Sequence, residues 1–551
     1  MAATSPQLRE TSRRKRILQE NLTAYAFVLP ATVLIFLFGI FPVAFAFFVS
    51  LHRWRRLPGE YTGLANYTRA LDGFAYVLFF WLALGALAFA VLRLRQLWIS
   101  SERGKALTYV IPGLVNAGAI YLFINWVTIL LPIILDIPQR VRGQERVQGL
   151  FVSELFASFR VPVATDAGNQ FLLGLVVAAV LTFVWWLVVK GGERERFLLL
   201  STMACFFGGA GLLILQLTTS EVQAAIDAAR ENGEGLPLWS QIIFISLGAA
   251  AVVGAYMVWR RAVKQDGTRN FALLALAALL LLGGGYLLIA ELPNALASAD
   301  PDVLRGLNVT AMFAIGTVPF QLGIGLVLAY MLFQNIKGKS FFRVVYFLPY
   351  VMPFVATAIV FNIIFSHRPT SPANHVFQFL GLPQQKWLLE PTGIFELIFG
   401  TWLPDILSGP GLALVVIMIY TTWTYIGYDA VVFLAGLGTI SGELYEAARI
   451  DGASEWALFR HITLPLLSPT TFFLSLIAII GTFRAFTQIW IMRNPANQNA
   501  VDTLGVHIFE TVRSTDPNMG YGSAMSFVLF GVILLLTLFQ NRFLGSRVHY
   551  G

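Results

Sequence analysis

Charge is scarce in this chain. Of 551 residues only 12% are Asp, Glu, Lys or Arg, against about a quarter in a soluble globular domain. With 57% hydrophobic residues and a mean hydropathy of +0.70, too little polar material remains to cover a water-facing surface. Cysteine is nearly absent: Cys205 stands alone inside an apolar run, which excludes an intramolecular disulfide. No His-Glu-x-x-His, no paired cysteines and no nucleophile elbow occur, so catalysis and metal binding by the chain itself are not indicated. Gly338-Lys339-Ser340 ends like a phosphate loop, but position 333 is Phe where that loop needs Gly, and an apolar run precedes it where a strand should stand. A nucleotide site of its own is therefore not expected.

What is present is a succession of long apolar runs. Segments of about 20 residues, the length that crosses the hydrocarbon as a helix, recur near 25–50, 74–92, 107–135, 170–189, 197–217, 241–259 and 271–290. They continue near 308–333, 344–366, 411–436, 471–492 and 522–541. This pattern predicts an all-helical polytopic membrane protein with about 12 spans.

Basic residues gather in alternate loops: Arg93, Arg95, Arg103 and Lys105; Lys190, Arg194 and Arg196; Arg260, Arg261, Lys264 and Arg269; Lys337, Lys339 and Arg343. The intervening loops at 218–240 and 291–307 hold only Arg230 and Arg305. Positive loops stay inside, so both termini and the loop after residue 436 are expected in the cytoplasm. Two loops run against this pattern, one with Arg53, Arg55 and Arg56, the other with Arg140, Arg142, Arg146 and Arg160. The net charge of +8 follows from topology and calls for no nucleic acid. Arg13 to Arg16 ahead of an apolar run resembles a secretion signal, but the run is too long and contains Pro30 and Pro42, which favours an uncleaved first span.

Between the tenth and eleventh runs the chain changes character. Ser441 can cap a short helix with Glu443 and Glu446 in its first turns, where carboxylates suit the positive helix end. Asp451-Gly452 breaks the chain, Ser454 can cap a second short helix, and Pro465 ends or kinks it. Ala447, Ala448 and Gly452 keep one side of this knob low in bulk, which admits a close partner. The order Glu446-Ala447-Ala448, Gly452, Ile462, Leu464, Pro465 resembles the EAA coupling loop of ABC importer permeases.

The resemblance extends to the permeases of the maltose and glycerol-phosphate type. It covers residues 23–50 with Gly63-Leu64-Ala65-Asn66-Tyr67, and resumes near Leu307 through Gly338 to Arg343, Tyr346 to Pro349, Trp387-Leu388 and Phe433 to Leu437. It runs on to Met519 to Ala524 and Arg547 to Tyr550. It implies a six-helix type I permease core formed by residues 1–73, which carry the N-terminus, the first span and the start of an outer loop, and by residues 307–551, with the coupling loop at 441–470. Residues 74–306 are then an insertion of about six helices of unassigned role. An even number returns the chain to the side from which it left.

Two charges fall inside the spans. Arg484, near the middle of its run, should face a bundle interior, since a guanidinium in hydrocarbon costs roughly 2.5–3.5 kcal/mol or more. Thr487 and Gln488 are expected on its helical face, and Asp429 shares a face with Tyr425 beside Tyr428 and Trp423. Rings beside hydroxyl, amide and carboxylate groups suit sugars and polyols, because rings cover the apolar sugar faces while polar groups replace water. Equally, Asp429 and Arg484 could pair with each other, or Arg484 could meet an anionic substrate such as a sugar phosphate. Arg493-Asn494-Pro495-Ala496-Asn497 departs from the Gly-Gly-Pro run usual in the family.

The resemblance implies the permease subunit of an ATP-driven importer in a prokaryotic plasma membrane, carrying a sugar or polyol. It implies as partners a second homologous permease, an ABC ATPase pair that holds the ATP and Mg, and an external solute-binding protein, with lipid around all. The alternative from composition alone is a secondary transporter driven by an ion gradient, which would show matching halves with midplane carboxylates.

Overall fold

A computed structural model describes residue 20 and residues 23–100, 106–142, 149–189, 193–233, 235–264, 268–334, 336–400, 402, 407–543 and 545. Arg13 to Arg16, Arg103, Lys105, Arg146, Lys190 and Arg547 to Tyr550 lie outside these residues. Among the described residues the chain is helical, with two isolated bridges, His52 to Tyr61 and Gly393 to Gly411, in place of any sheet. Hydrocarbon leaves no water for backbone groups, so each long apolar run closes its hydrogen bonds within a helix.

The main helices are α1 (Thr23–Ser50), α2 (Phe74–Ser100), α3 (Ala106–Leu135), α4 (Pro162–Val188), α5 (Arg194–Glu231), α6 (Leu238–Ala262) and α7 (Thr268–Ala295). Next come α8 (Pro301–Phe333), α9 (Lys339–Val351), α10 (Phe354–Ile364), α11 (Pro372–Phe379) and α12 (Leu412–Leu437). The chain closes with α13 (Gly442–Ile450), α14 (Glu455–Leu466), α15 (Ser468–Phe483), α16 (Thr487–Met492), α17 (Leu504–Arg513) and α18 (Met519–Phe543). Ten helices are long and apolar enough to cross a membrane, and two bent pairs, α9 with α10 and α14 with α15, bring the total to as many as 12. The protein is an all-helical, multi-pass membrane protein.

The chain divides into two compact units, one of residues 1–66, 73–293 and 518–524, the other of residues 67–72, 294–517 and 525–551. In the first, α2 packs along α5, and α3 packs on both α4 and α5. Tyr109, Trp185 and Phe197 meet edge to face at ring distances of 5.2 Å in its core. Gly113 sits against Ser201, and Gly248 against Gly284, so these helices approach at backbone distance. The Trp81 Nε1 proton is donated to Ser246 Oγ at 2.7 Å.

The second unit is built around α12, the most buried span. Its Ala413, Leu414, Val416, Ile417 and Tyr420 have no solvent contact, and α8 packs along its length. Outside the spans, Asn374 organises the loop after α10. Its Nδ2 donates to the carbonyls of Ser366, Arg368 and Gln385, and its Oδ1 accepts from Trp387 Nε1 at 2.8 Å.

Candidate functional site

The knob between α12 and α15 forms as its side chains dictate. Ser441 caps α13 by accepting from the Glu443 amide, and Ser454 caps α14 by accepting from the Ala457 amide, each at 3.3 Å. Between them Gly452 takes a φ of +82°, a left-handed conformation that costs an L side chain roughly 1–2 kcal/mol. The Arg449 guanidinium spans the corner to Glu455 at 3.0 Å, and Tyr445 shares a hydrogen bond of 3.0 Å with Thr463. Pro465 does not end the second helix. A wide π-turn at Phe459–Thr463 absorbs the proline's missing donor, and the 63° bend comes at Leu467, where Pro469 begins α15.

Glu446 and Ala447 are exposed, Ala448 and Ile462 half-buried, and Leu464 exposed. Beside them stand two apolar side chains that sequence reasoning missed: Ile450 is 87% and Trp456 67% exposed. A local signal existed, since both lie on the short capped helices on either side of the Gly452 corner. The knob is a rigid corner with Ile450 bare at one tip and Trp456, stacked on Phe459 at 5.7 Å, largely exposed at the other.

The spans tell a second story through their breaks. Helices α9 and α10 meet at 95°, where Met352 and Pro353 interrupt the hydrogen-bond ladder. The run expected to be continuous over 471–492 is also broken: α15 stops at Phe483 and α16 begins at Thr487. No proline or glycine causes this second break. Phe486, with φ −138° and ψ −58°, turns its ring into a cluster with Trp490 at 5.6 Å and Phe509 at 4.8 Å, and the backbone follows. From Lys339 and from Ser468 the breaks come about 20 and 24 Å along their helices. The outer halves α10 and α16 pack together, and Asn362 Nδ2 donates to the Ile491 carbonyl at 3.3 Å.

Around these breaks the candidate residues separate into four settings. Tyr428 stacks on Tyr350 at 4.9 Å, and Tyr425 meets Tyr350 at 5.8 Å and Phe354 at 6.2 Å, so three tyrosines form one platform beside the α9–α10 bend. Tyr350 and Phe354 were not singled out from sequence, although the prolines at 349 and 353 announced an interruption. Trp423 instead packs on Phe361 at 5.3 Å and borders an apolar cavity of about 690 Å³ with Met312, Phe320, Phe395 and Met418.

Asp429 is only 2% exposed and points into the α8–α12 seam, where Gly325 makes room for it. Its Oδ2 is buried without a hydrogen-bond partner, as are Gln321 Oε1 and Thr317 Oγ1 on α8. Arg484 and Thr487 are exposed while Gln488 is buried, so the break undoes the common face expected for them. Among the described residues no ion pair joins Asp429 to Arg484.

Beyond α16 the divergent loop is tightly built. Arg493 donates through Nε and a terminal nitrogen to both oxygens of Asp502, at 2.7 and 2.8 Å, and through its other nitrogen to Glu510 at 2.7 Å. Burial opposes the Arg493 charge, but Asp502 and Glu510 outweigh it and hold this group above its ordinary value. Burial also pushes the Asp502 carboxyl above its usual range, against the pull of Arg493. A polar cavity of about 280 Å³ adjoins the network, lined by Arg305, Gln498 and His507 among others. Asp300, Asp302 and His507 bring ligand atoms within 4.8 Å of one another, but Asp300 caps α8 and Asp302 is exposed and paired with Arg305 at 2.9 Å. Helix capping and that pair already account for the two carboxylates.

A family model described as binding-protein-dependent transport system inner membrane component matches residues 321–550. The arabinooligosaccharide transport permease AraP of Bacillus subtilis is 31% identical over 265 residues, 48% of this chain and 78% of its own length. The lactose transport permease LacF of Rhizobium radiobacter is 30% identical over 44% of this chain and 76% of its own. The sn-glycerol-3-phosphate permease UgpA of Brucella abortus is 32% identical over 46% and 79%. Among solved structures, a chain of a bacterial alginate ABC transporter aligns with a TM-score of 0.38 at 21% identity, covering 44% of this chain and 78% of that one.

Proposed function

Because the chain belongs to the binding-protein-dependent transport system inner membrane components, the membrane permeases of ABC importers, we propose that it moves a sugar or related polyol inward by alternating access. The stroke comes from a separate ATPase docked on the α13–α14 knob. Glu446, Ala447, Ala448, Gly452, Ile462, Leu464 and Pro465 form the receiving surface, with Ile450 and Trp456 as apolar anchors. A second, homologous permease completes the pathway, an external binding protein delivers substrate, and ATP and Mg are held by the ATPase pair. Both termini and the knob lie on the cytoplasmic side, as the basic loops indicate.

The observation that carries this reading is the knob itself: a capped, cross-braced corner on an otherwise membrane-embedded chain, with exposed apolar tips awaiting a partner. Closure of the ATPases would press two such knobs together and tilt the spans they continue, since α14 leads directly into α15. Within the membrane the substrate pathway follows the breaks, because irregular backbone at that depth is tolerated where it lines a cavity. Tyr425 and Tyr428, with Tyr350, offer ring faces and hydroxyls, Arg484, Thr487 and Gln488 stand at the second break, and Trp423 and Asp429 lie on the same helix as the tyrosines. Arabinooligosaccharides, lactose and sn-glycerol 3-phosphate, the cargoes in the relatives' names, support a sugar or polyol substrate.

Affinity purification of the tagged chain from its native membrane tests the reading. Co-purification of an ATPase, lost in a Glu446→Lys, Gly452→Asp variant, supports it. Purification of a lone chain without ATPase in several detergents overturns the docking of an ATPase on the knob.

A further inference from the structure

Arg484 closes α15 sixteen residues after Ser468, about 24 Å along a helix of a bent pair apolar enough to cross a membrane. It is exposed, and one turn earlier nothing lies within 4 Å of where a Gly481 side chain would be. Thr487 is exposed on the far side of the break. A guanidinium turned to lipid costs roughly 2.5–3.5 kcal/mol or more, so this open face has to border water or a cavity.

Among the described residues no carboxylate pairs with this charge. Among the described residues of the second unit's membrane helices, the carboxylates are Asp302 in the first turn of α8, Asp429, and Glu455 at the start of α14, which is paired with Arg449. Asp429 is sealed in the α8–α12 seam, so a second copy of the chain could not offer it either. The C-terminal end of α15 favours a cation but supplies only partial charge. What remains to meet Arg484 is a carboxylate of a distinct second permease or something that enters.

We propose that Arg484 receives the anionic group of the substrate, so that the cargo is a carboxylated or phosphorylated sugar rather than a neutral one. The inference rests on the reading that the broken spans line the pathway. A guanidinium fork matches carboxylate and phosphate oxygens alike, and the Tyr350, Tyr425 and Tyr428 rings would cover the apolar faces of the attached sugar or polyol.

The test uses the complete transporter with its binding protein in proteoliposomes. Uptake and stimulated ATP hydrolysis are measured for digalacturonate beside digalactose, and for sn-glycerol 3-phosphate beside glycerol. The expected result is a preference for one acidic probe over its neutral counterpart of at least about 10-fold. Arg484→Gln should remove that preference, Arg484→Lys should restore part of it, and the subunit composition should stay unchanged. Which acidic probe responds separates carboxylate from phosphate. A wild type that carries neither acidic probe, or a glutamine variant that loses acidic and neutral uptake equally, overturns the proposal and leaves the permease reading standing. Absence of any ATPase in the purified complex overturns instead the proposed ATPase docking on the knob.

Discussion

A methyl group on Gly325 would stand 2.8 Å from the Cβ of Asp429, nearer than packed carbons approach. The two residues mark a place where α8 and α12 touch almost backbone to backbone. Gly325→Val is expected to force the helices apart and destabilise the chain by about 1–3 kcal/mol, read as a lowered melting temperature in detergent. Gly323→Ala, where nothing lies within 4 Å, should leave it unchanged.

Asp429 itself keeps an unpartnered oxygen in that seam. Asp429→Asn should change stability by no more than about 1 kcal/mol, because the amide takes the same space and brings N–H donors to a seam that already holds unpartnered oxygens. If Asp429 serves the pathway, uptake falls while the melting temperature stays. Unchanged uptake would take the residue out of the pathway.

Gly452 meets no neighbour within 4 Å, so substitutions there act through backbone strain alone. Uptake should fall in the order Gly, Asn, Ala, Val, since Asn tolerates the left-handed conformation and a β-branched residue does not. Rates measured across this series check the order, and a flat series would separate the corner from coupling.

Ile450→Ala should leave the isolated chain as stable as before, and Trp456→Ala should cost it about 0.5–1 kcal/mol, because Ile450 is bare while Trp456 stacks on Phe459. Each should weaken association with the ATPase by roughly 10-fold or more, as loss of a large apolar anchor does at interfaces. Titration of purified ATPase onto detergent-solubilised chain measures this directly.

Arg493 and Asp502 are 17% and 19% exposed, too sheltered for water to replace a lost partner in full. Arg493→Gln should cost about 2 kcal/mol and loosen the segment between α16 and α17, less than the penalty for a wholly buried pair. Hydrogen exchange over residues 493–513 would report the loosening.

Much of this architecture was legible beforehand because its causes are local. An apolar run near 20 residues leaves the backbone one way to close its hydrogen bonds, and Ser441 and Ser454 cap helices with their own hydroxyls a few bonds away. The break after Phe483 was not legible, since nothing at residues 484–486 forbids a helix. It arises because Phe486 finds Trp490 and Phe509, and Phe509 is 23 positions further on. Helical period placed Asp429 and Tyr425 on one face, but it could not say that Gly325 waits opposite one and Tyr350 opposite the other. Exposure of Ile450 and Trp456 likewise depends on how the corner folds, not on their hydropathy.

The exposed tips of the knob bear on how the protein is made as well as on how it works. A newly inserted copy that has not met its ATPase carries Ile450 bare and Trp456 largely exposed on a water-facing loop, the kind of surface that proteases and chaperones recognise. Synthesis of the membrane subunit in excess of its partner would therefore be self-limiting, with the surplus cleared. Heterologous production should succeed best when both are expressed together.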